Sequence, residues 1–254
     1  MADDLLVIIP TRGRPQAIPE IVAAWNETGT TADLLFAIDD DDPSRDAYAA
    51  AIDAARRGPH DWRLLIQRGP RLRLCGTLNQ VAVKYADQYR FLAFLGDDHR
   101  PRPAAVPWDA RFRECLSGGS GIVYGNDLLM GERMPTAVAM TSDIVKTLGY
   151  MAPPTLVHLC LDLVWLEWGR GMERITYLDD VVIEHMHPAN GKAVLDQGYE
   201  ECNSPEQVGA DSAAYFDYRD DGGLEADLAK LRTLVQYGQV PQRHALGIDQ
   251  EASA

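Results

Sequence analysis

Four clusters of polar residues, each directly after an apolar run, could carry chemistry in this 254-residue chain. Pro10-Thr11-Arg12-Gly13-Arg14 follows Leu5 to Ile9, and Asp39 to Asp42 follows Leu34 to Ile38. Gly96-Asp97-Asp98-His99 follows Phe91 to Leu95, and His185-Met186-His187-Pro188 follows Val181 to Glu184. Adjacent carboxylates at the end of a buried strand are poor core material, but they suit a divalent cation and the phosphates it carries. Thr11 offers a hydroxyl, Asp39 or Asp40 can accept from a base N–H or a ribose hydroxyl, and Asp98 can hold a metal. Nearly all nearby cations are arginine (Arg12, Arg14, Arg68, Arg71, Arg73, Arg100, Arg102), whose planar fork matches phosphate.

The elements that must position these groups alternate. Leu5 to Ile9, Leu34 to Ile38, Trp62 to Gln67 and Phe91 to Leu95 read as buried strands. Between them, Ile18, Ile21, Val22 and Trp25 mark a helix ending near Gly29, and further helices are expected over about 45–57 and 76–88. Such alternation predicts a mostly parallel α/β sheet flanked by helices, whose ligands lie outside the carboxyl ends of the strands. Later the pattern loosens. Short strands are expected at Ile122 to Tyr124, Thr136 to Met140, Ile175 to Leu178 and Val181 to Glu184. Leu156 to Trp168 reads as a helix with Leu159, Leu163 and Leu166 toward the core, which would put His158 and Asp162 on one face. From Asn190 the chain is polar and acidic until an amphipathic helix over Leu224 to Tyr237, which packs on the sheet or on a partner subunit and so leaves a homodimer open.

The formal charge is −14, which argues against bulk attraction to nucleic acid or anionic membrane. It is uneven: residues 1–120 carry 15 Lys and Arg against 17 Asp and Glu, whereas residues 121–254 carry 9 against 21. The 4 cysteines form no Cys-x-x-Cys pair, so neither a zinc knuckle nor a disulfide framework is indicated. The Met-Ala-Asp-Asp start lacks the features of a signal peptide and no apolar run approaches membrane-spanning length, so a cytoplasmic protein without a membrane span is expected.

Together these motifs resemble the family-2-like, nucleotide-sugar-dependent glycosyltransferases of GT-A fold, over roughly residues 5–187. The resemblance lies in the order of several short motifs: the Pro10-Thr11 strand end, Asp39-Asp40-Asp41-Asp42-Pro43-Ser44, and Asn79 in the helix before the metal-motif strand. The chain departs from the pattern where the usual Asp-x-Asp is Gly96-Asp97-Asp98, so the first carboxylate is a glycine. The resemblance implies Asp98 as direct metal ligand, Asp97 as a ribose or water-mediated contact, and a late histidine completing a Mn²⁺ or Mg²⁺ site, His187 being favoured with His185 and the nearby His99 as alternatives. It implies Asp162 as general base of an inverting transfer. Pro10, Thr11, Arg12, Arg14, Asp39, Asp40, Arg71, Asn79, Asp97 and Lys192 would hold the nucleotide, Lys192 closing over the diphosphate.

The expected architecture is thus a GT-A domain over 1–200, with a nucleotide-binding part at 1–101 and an acceptor part at 102–200, followed by an acidic helical extension at 201–254. The expected reaction moves a sugar from a nucleoside-diphosphate sugar to a hydroxyl acceptor. A glycan or small molecule is the leading acceptor and a modified DNA base the minority option. Two rivals stay open. A sugar-1-phosphate nucleotidyltransferase normally needs a glycine-rich first turn, of which Gly13 supplies one glycine; a non-catalytic nucleotide-sugar-binding module is favoured if the altered motif has lost its ion.

Overall fold

The computed structural model describes residues 4–58 and 60–238, so residues 239–254 of the expected extension lie outside the described residues. The first half alternates as the hydropathy pattern predicts: β1 (Leu5–Thr11), α1 (Ala17–Thr28), β2 (Asp33–Asp39), α2 (Arg45–Ala55), β3 (Leu64–Gly69), α3 (Arg73–Tyr85) and β4 (Phe91–Phe94). There follow β5 (His99–Pro101), α4 (Trp108–Leu116), β6 (Ile122–Asn126), β7 (Val138–Thr141), α5 (Ser142–Leu148), α6 (Leu161–Gly171), β8 (Ile175–His185), α7 (Gln197–Cys202), α8 (Pro205–Asp220) and α9 (Gly223–Tyr237).

The strands form one eight-stranded sheet in the order β3-β2-β1-β4-β7-β6-β8-β5. β3, β2, β1 and β4 run parallel, β7 is antiparallel to β4 and β6, β6 and β8 run parallel, and β5 closes the far edge antiparallel to β8. Successive residues of β1 feed opposite faces, so Leu6 and Ile8 join α3, α5, α6 and α9 while Leu5, Val7 and Ile9 join α1, α2 and α4. Both faces of these strands are therefore covered, which is why they read as continuous apolar runs.

Several elements differ from expectation: β5 and α7 are additional, and β8 runs unbroken through the two strands expected at Ile175 to Leu178 and Val181 to Glu184. α4 lacks a marked hydropathy signal because it buries one narrow stripe: Trp108, Phe112 and Leu116 at i, i+4 and i+8, with Trp108 edge-on to Trp25 at 5.5 Å between ring centroids. α6 begins at Leu161 rather than near 156. The N–H groups of Val157, His158 and Leu159 turn to the carboxylate of Asp211 at 2.9, 3.1 and 2.7 Å, and Cys160 enters the helix at φ 64°, so His158 and Asp162 share no helix face. The extension holds two helices, α8 and α9, where one was expected. The buried face of α8 is polar, made of Asp211, Tyr215 and Tyr218, and so carries no apolar stripe. α9 packs on α5, α6 and α8 of its own chain through Leu228, Leu231 and Leu234.

Candidate functional site

The turn after β1 is built to face the strand ends. Gly13 takes φ 69°, which aims its N–H at Asp42 Oδ2, 2.8 Å away, and so ties the β1 turn to the one after β2. Arg12 then reaches Asp39 at 3.0 Å and Asp41 at 2.5 Å. Thr11 Oγ1 donates to Asp97 Oδ2 at 2.8 Å and lies 2.9 Å from the Tyr48 hydroxyl, which also accepts the Arg14 N–H at 3.0 Å. The Arg14 guanidinium completes the cradle, donating Nη1–H to Asp97 Oδ1 at 2.8 Å. Burial would weaken its charge, yet hydrogen bonds to Asp196 and the charge of Asp97 raise its pKa above the usual range. Burial also pushes the Asp97 carboxyl up to about 6, against the pull of Arg14.

Asp98 lies beside two imidazoles because of strand register. β5 pairs with β8 so that His99 faces His185, and the rings stack with centroids 4.3 Å apart. His99 Nδ1 is 3.3 Å from Asp98 Oδ1, and His185 Nε2 is 3.4 Å from Asp98 Oδ2. One ligand atom from each of Asp98, His99 and His185 lies within 4.8 Å of the others. Burial alone would raise the Asp98 pKa, but the hydrogen bond with His185 and the closeness of His99 hold it well below the carboxylate range. Burial keeps His99 below the usual imidazole value, in accord with its Nδ1 accepting the Gly96 N–H at 3.0 Å. His185 is desolvated too, but the carboxylates of Asp98 and Asp127 lift it to about 9. Asp127 stands behind it, Oδ2 3.8 Å from His185 Nδ1, and is itself fixed by the N–H groups of Leu129, Met130 and Gly131 and by the Thr136 hydroxyl.

The glycine at 96 follows from this crowding. A Cβ there would stand 2.5 Å from Asp98 Oδ1 and 2.8 Å from His99 Nδ1. Gly96→Ala is therefore expected to displace Asp98 and, if the site takes the cation and nucleotide proposed below, to weaken Mn²⁺-dependent nucleotide binding by about tenfold or more, since small misplacements of a ligand cost this much. Calorimetric titration of the variant with nucleotide and Mn²⁺ checks it, and unchanged affinity would refute the account of the glycine.

A cavity of about 580 Å³ opens over these strand ends, lined by Pro10, Thr11, Arg12, Arg14, Asp39, Arg71, Asp97, Asp98, Asp162 and His187 among the residues expected from sequence. Its size is that of a small-molecule site. Asp162 stands in the first turn of α6, where its Oδ1 accepts the Leu163 N–H at 3.0 Å and burial raises its pKa.

Three expected nucleotide contacts do not line the cavity. Asn79 faces the loop after α5, accepting the N–H groups of Met151 and Ala152 at 2.9 and 2.8 Å and donating to Ala152 O at 2.8 Å, so its position in α3 serves packing. Lys192 is engaged by Glu184, and Asp40 is exposed, its N–H bonded to Gly69 O at 2.7 Å. Of the two late histidines it is His185 that approaches Asp98, at 3.4 Å, while His187 lines the cavity. β8 ends at His185, so strand alternation does not extend to His187, whose Nδ1 accepts the Ala189 N–H at 3.1 Å as the cap of a short turn. Arg68, Arg100 and Arg102 lie outside the cavity, whereas Arg73 joins it.

The sequence reading missed Tyr48, Asp127 and the run Asp196, Tyr199 and Glu201. Strand-end logic reaches Asp127, which directly follows β6, but not the others. Tyr48 lies on a helix, Asp127 enters through the β6 turn, and the last three come from a segment with no apolar signal.

No protein-family model matches the sequence, and no curated protein matches it. Solved structures match in shape. A mannosyltransferase from Pyrobaculum calidifontis in complex with GDP-Man and Mn²⁺ gives a TM-score of 0.58 at 15% identity, covering 94% of this chain and 76% of that one. S. aureus TarS 1-349 in complex with UDP gives 0.55 at 14% identity, covering 94% and 93%. Glucosyl-3-phosphoglycerate synthase from Mycobacterium tuberculosis, in complex with Mn²⁺, UDP and glucosyl-3-phosphoglycerate, gives 0.52 at 10% identity, covering 84% and 80%. The chain has the GT-A fold of these structures, as the motif order implied.

Proposed function

We propose that the protein is a glycosyltransferase that moves a sugar from a nucleoside-diphosphate sugar to an acceptor hydroxyl, with inversion at the anomeric carbon. The observation that carries this reading is the meeting of Asp98, His99 and His185 with Arg12, Arg14, Arg71 and Arg73 in one cavity at the carboxyl ends of a GT-A sheet. Carboxylate beside imidazole, with room for diphosphate oxygens, suits Mn²⁺ or Mg²⁺ better than a soft ion. Asp98 and His185 would hold the cation with His99 alongside, and the cation would neutralise charge on the leaving diphosphate. The match to structures carrying GDP-Man, UDP and Mn²⁺ supports the same ligand class.

The chain's own groups then divide the work. Arg12 and Asp39, at the end of β2, take the nucleoside side, while Arg14, Arg71 and Arg73 face the phosphates. Asp97, positioned by Thr11 and Arg14, is placed to accept a ribose hydroxyl. Asp162 is the base: its carboxylate lines the cavity, accepts the Leu163 N–H and is paired with no cation among the described residues, and its raised pKa favours proton uptake from an acceptor hydroxyl. Among the described residues no helix is long and apolar enough to cross a membrane, and we take the enzyme to work in the cytoplasm on a glycan or small-molecule acceptor. Release of nucleoside diphosphate from a panel of donor sugars, with and without Mn²⁺, tests the reading; inactivity on every donor with every acceptor class would count against it.

A further inference from the structure

One short segment occupies the very groups that a donor needs. Asp196, the cap of α7, accepts Nε–H and Nη2–H of Arg14 at 2.7 and 2.9 Å. Tyr199 lies over the same guanidinium, 4.3 Å from Cζ to the ring centroid, and donates its hydroxyl to Asp98 Oδ2. Glu201 accepts from Arg71 at 2.7 Å and from Arg73 at 2.6 Å. A carboxylate paired bidentately with a guanidinium uses the same donor fork that a phosphate would use.

The segment is weakly attached otherwise. α7 is six residues long and buries none of them, so it is too short to be stable alone and has no apolar anchor. Before it, Val194 and Leu195 are 85% and 62% exposed, and after it Ser204 and Pro205 restart the chain as α8. Partly exposed ion pairs are individually weak, so an element held mainly by them belongs to the easily opened part of a fold. A lid that closes over a bound diphosphate would bring neutral or cationic groups to it. Asp196 and Glu201 would instead repel it from the arginines they hold.

We propose that residues 196–202 are an internal anionic plug, with Asp196 and Glu201 standing in for phosphate at Arg14, Arg71 and Arg73 and Tyr199 covering the cation-binding carboxylate. Nucleoside diphosphate and cation enter as the segment withdraws. This rests on the nucleotide-sugar reading of the cavity. Because only the plug-open fraction is competent to bind, the apparent affinity of the native chain is reduced by that fraction.

Two measurements test it. In hydrogen–deuterium exchange on the full chain, the amides of 196–202 should lose protection on addition of UDP or GDP with Mn²⁺; a gain of protection overturns the plug. The double variant Asp196→Asn, Glu201→Gln should bind the same nucleotide about tenfold more tightly, the population effect of a mostly closed plug. Weaker binding would place these carboxylates in the donor's own site and overturn the proposal. Equal affinity with unchanged exchange overturns the plug while leaving the donor reading intact, and absence of nucleotide binding by either protein overturns both.

Discussion

Asp98→Ala is expected to abolish Mn²⁺-dependent nucleotide binding and to lower sugar transfer by about three orders of magnitude or more, the scale on which preorganised charge at a leaving group acts. Asp98 is the carboxylate that both His99 and His185 approach, and its low pKa keeps it ionised across the working pH range. Asp97 is not part of that cluster: its oxygens accept from Thr11 and Arg14 instead. Asp98→Asn keeps the shape and removes the charge, so it separates loss of a ligand from loss of packing. Both variants should be folded by circular dichroism. Retention of a Mn²⁺ effect on nucleotide affinity in either would move the cation site elsewhere.

Asp162→Asn is expected to separate chemistry from binding. Nucleotide and Mn²⁺ affinity should remain, while transfer falls by about two orders of magnitude or more, the usual cost of a lost general base. The same substitution should raise the melting temperature at neutral pH. Burial raises the Asp162 pKa in the folded state, so the folded state favours the protonated form and stability is lost as pH rises through that value. Asparagine carries no charge and escapes the loss. The difference in melting temperature should therefore shrink as pH falls toward about 4, the ordinary carboxylate value. A variant that transfers sugar at the native rate, or a product with retained anomeric configuration, would assign the proton transfer to another group or another mechanism.

The first hundred residues were legible because their strands are buried on both faces and their helices are regular, so each apolar run announces a strand and the following polar cluster the turn at its end. Thr11, Arg14, Asp39, Asp97 and Asp98 were found by that rule, and all five line the cavity. Position alone does not give direction, however. Asn79 sits on a helix at the right place in the order of motifs but turns its amide to the loop at 151–152. The stacking of His99 on His185 was not legible because β5 has three residues, too few for a periodic signal, and only its pairing with β8 sets the two rings together. The C-terminal contribution was illegible for another reason. α8 buries Asp211, Tyr215 and Tyr218 through hydrogen bonds, and α7 is held by charge, so hydropathy registers neither element.

Isothermal titration of the native chain with UDP and with GDP, each with and without Mn²⁺, bears most directly on the central claim. Saturable binding of at least one nucleotide at one site per chain, tightened by Mn²⁺ and lost in Asp98→Ala, is the expected result. No binding of either nucleotide at millimolar concentration in the presence of Mn²⁺ would contradict it.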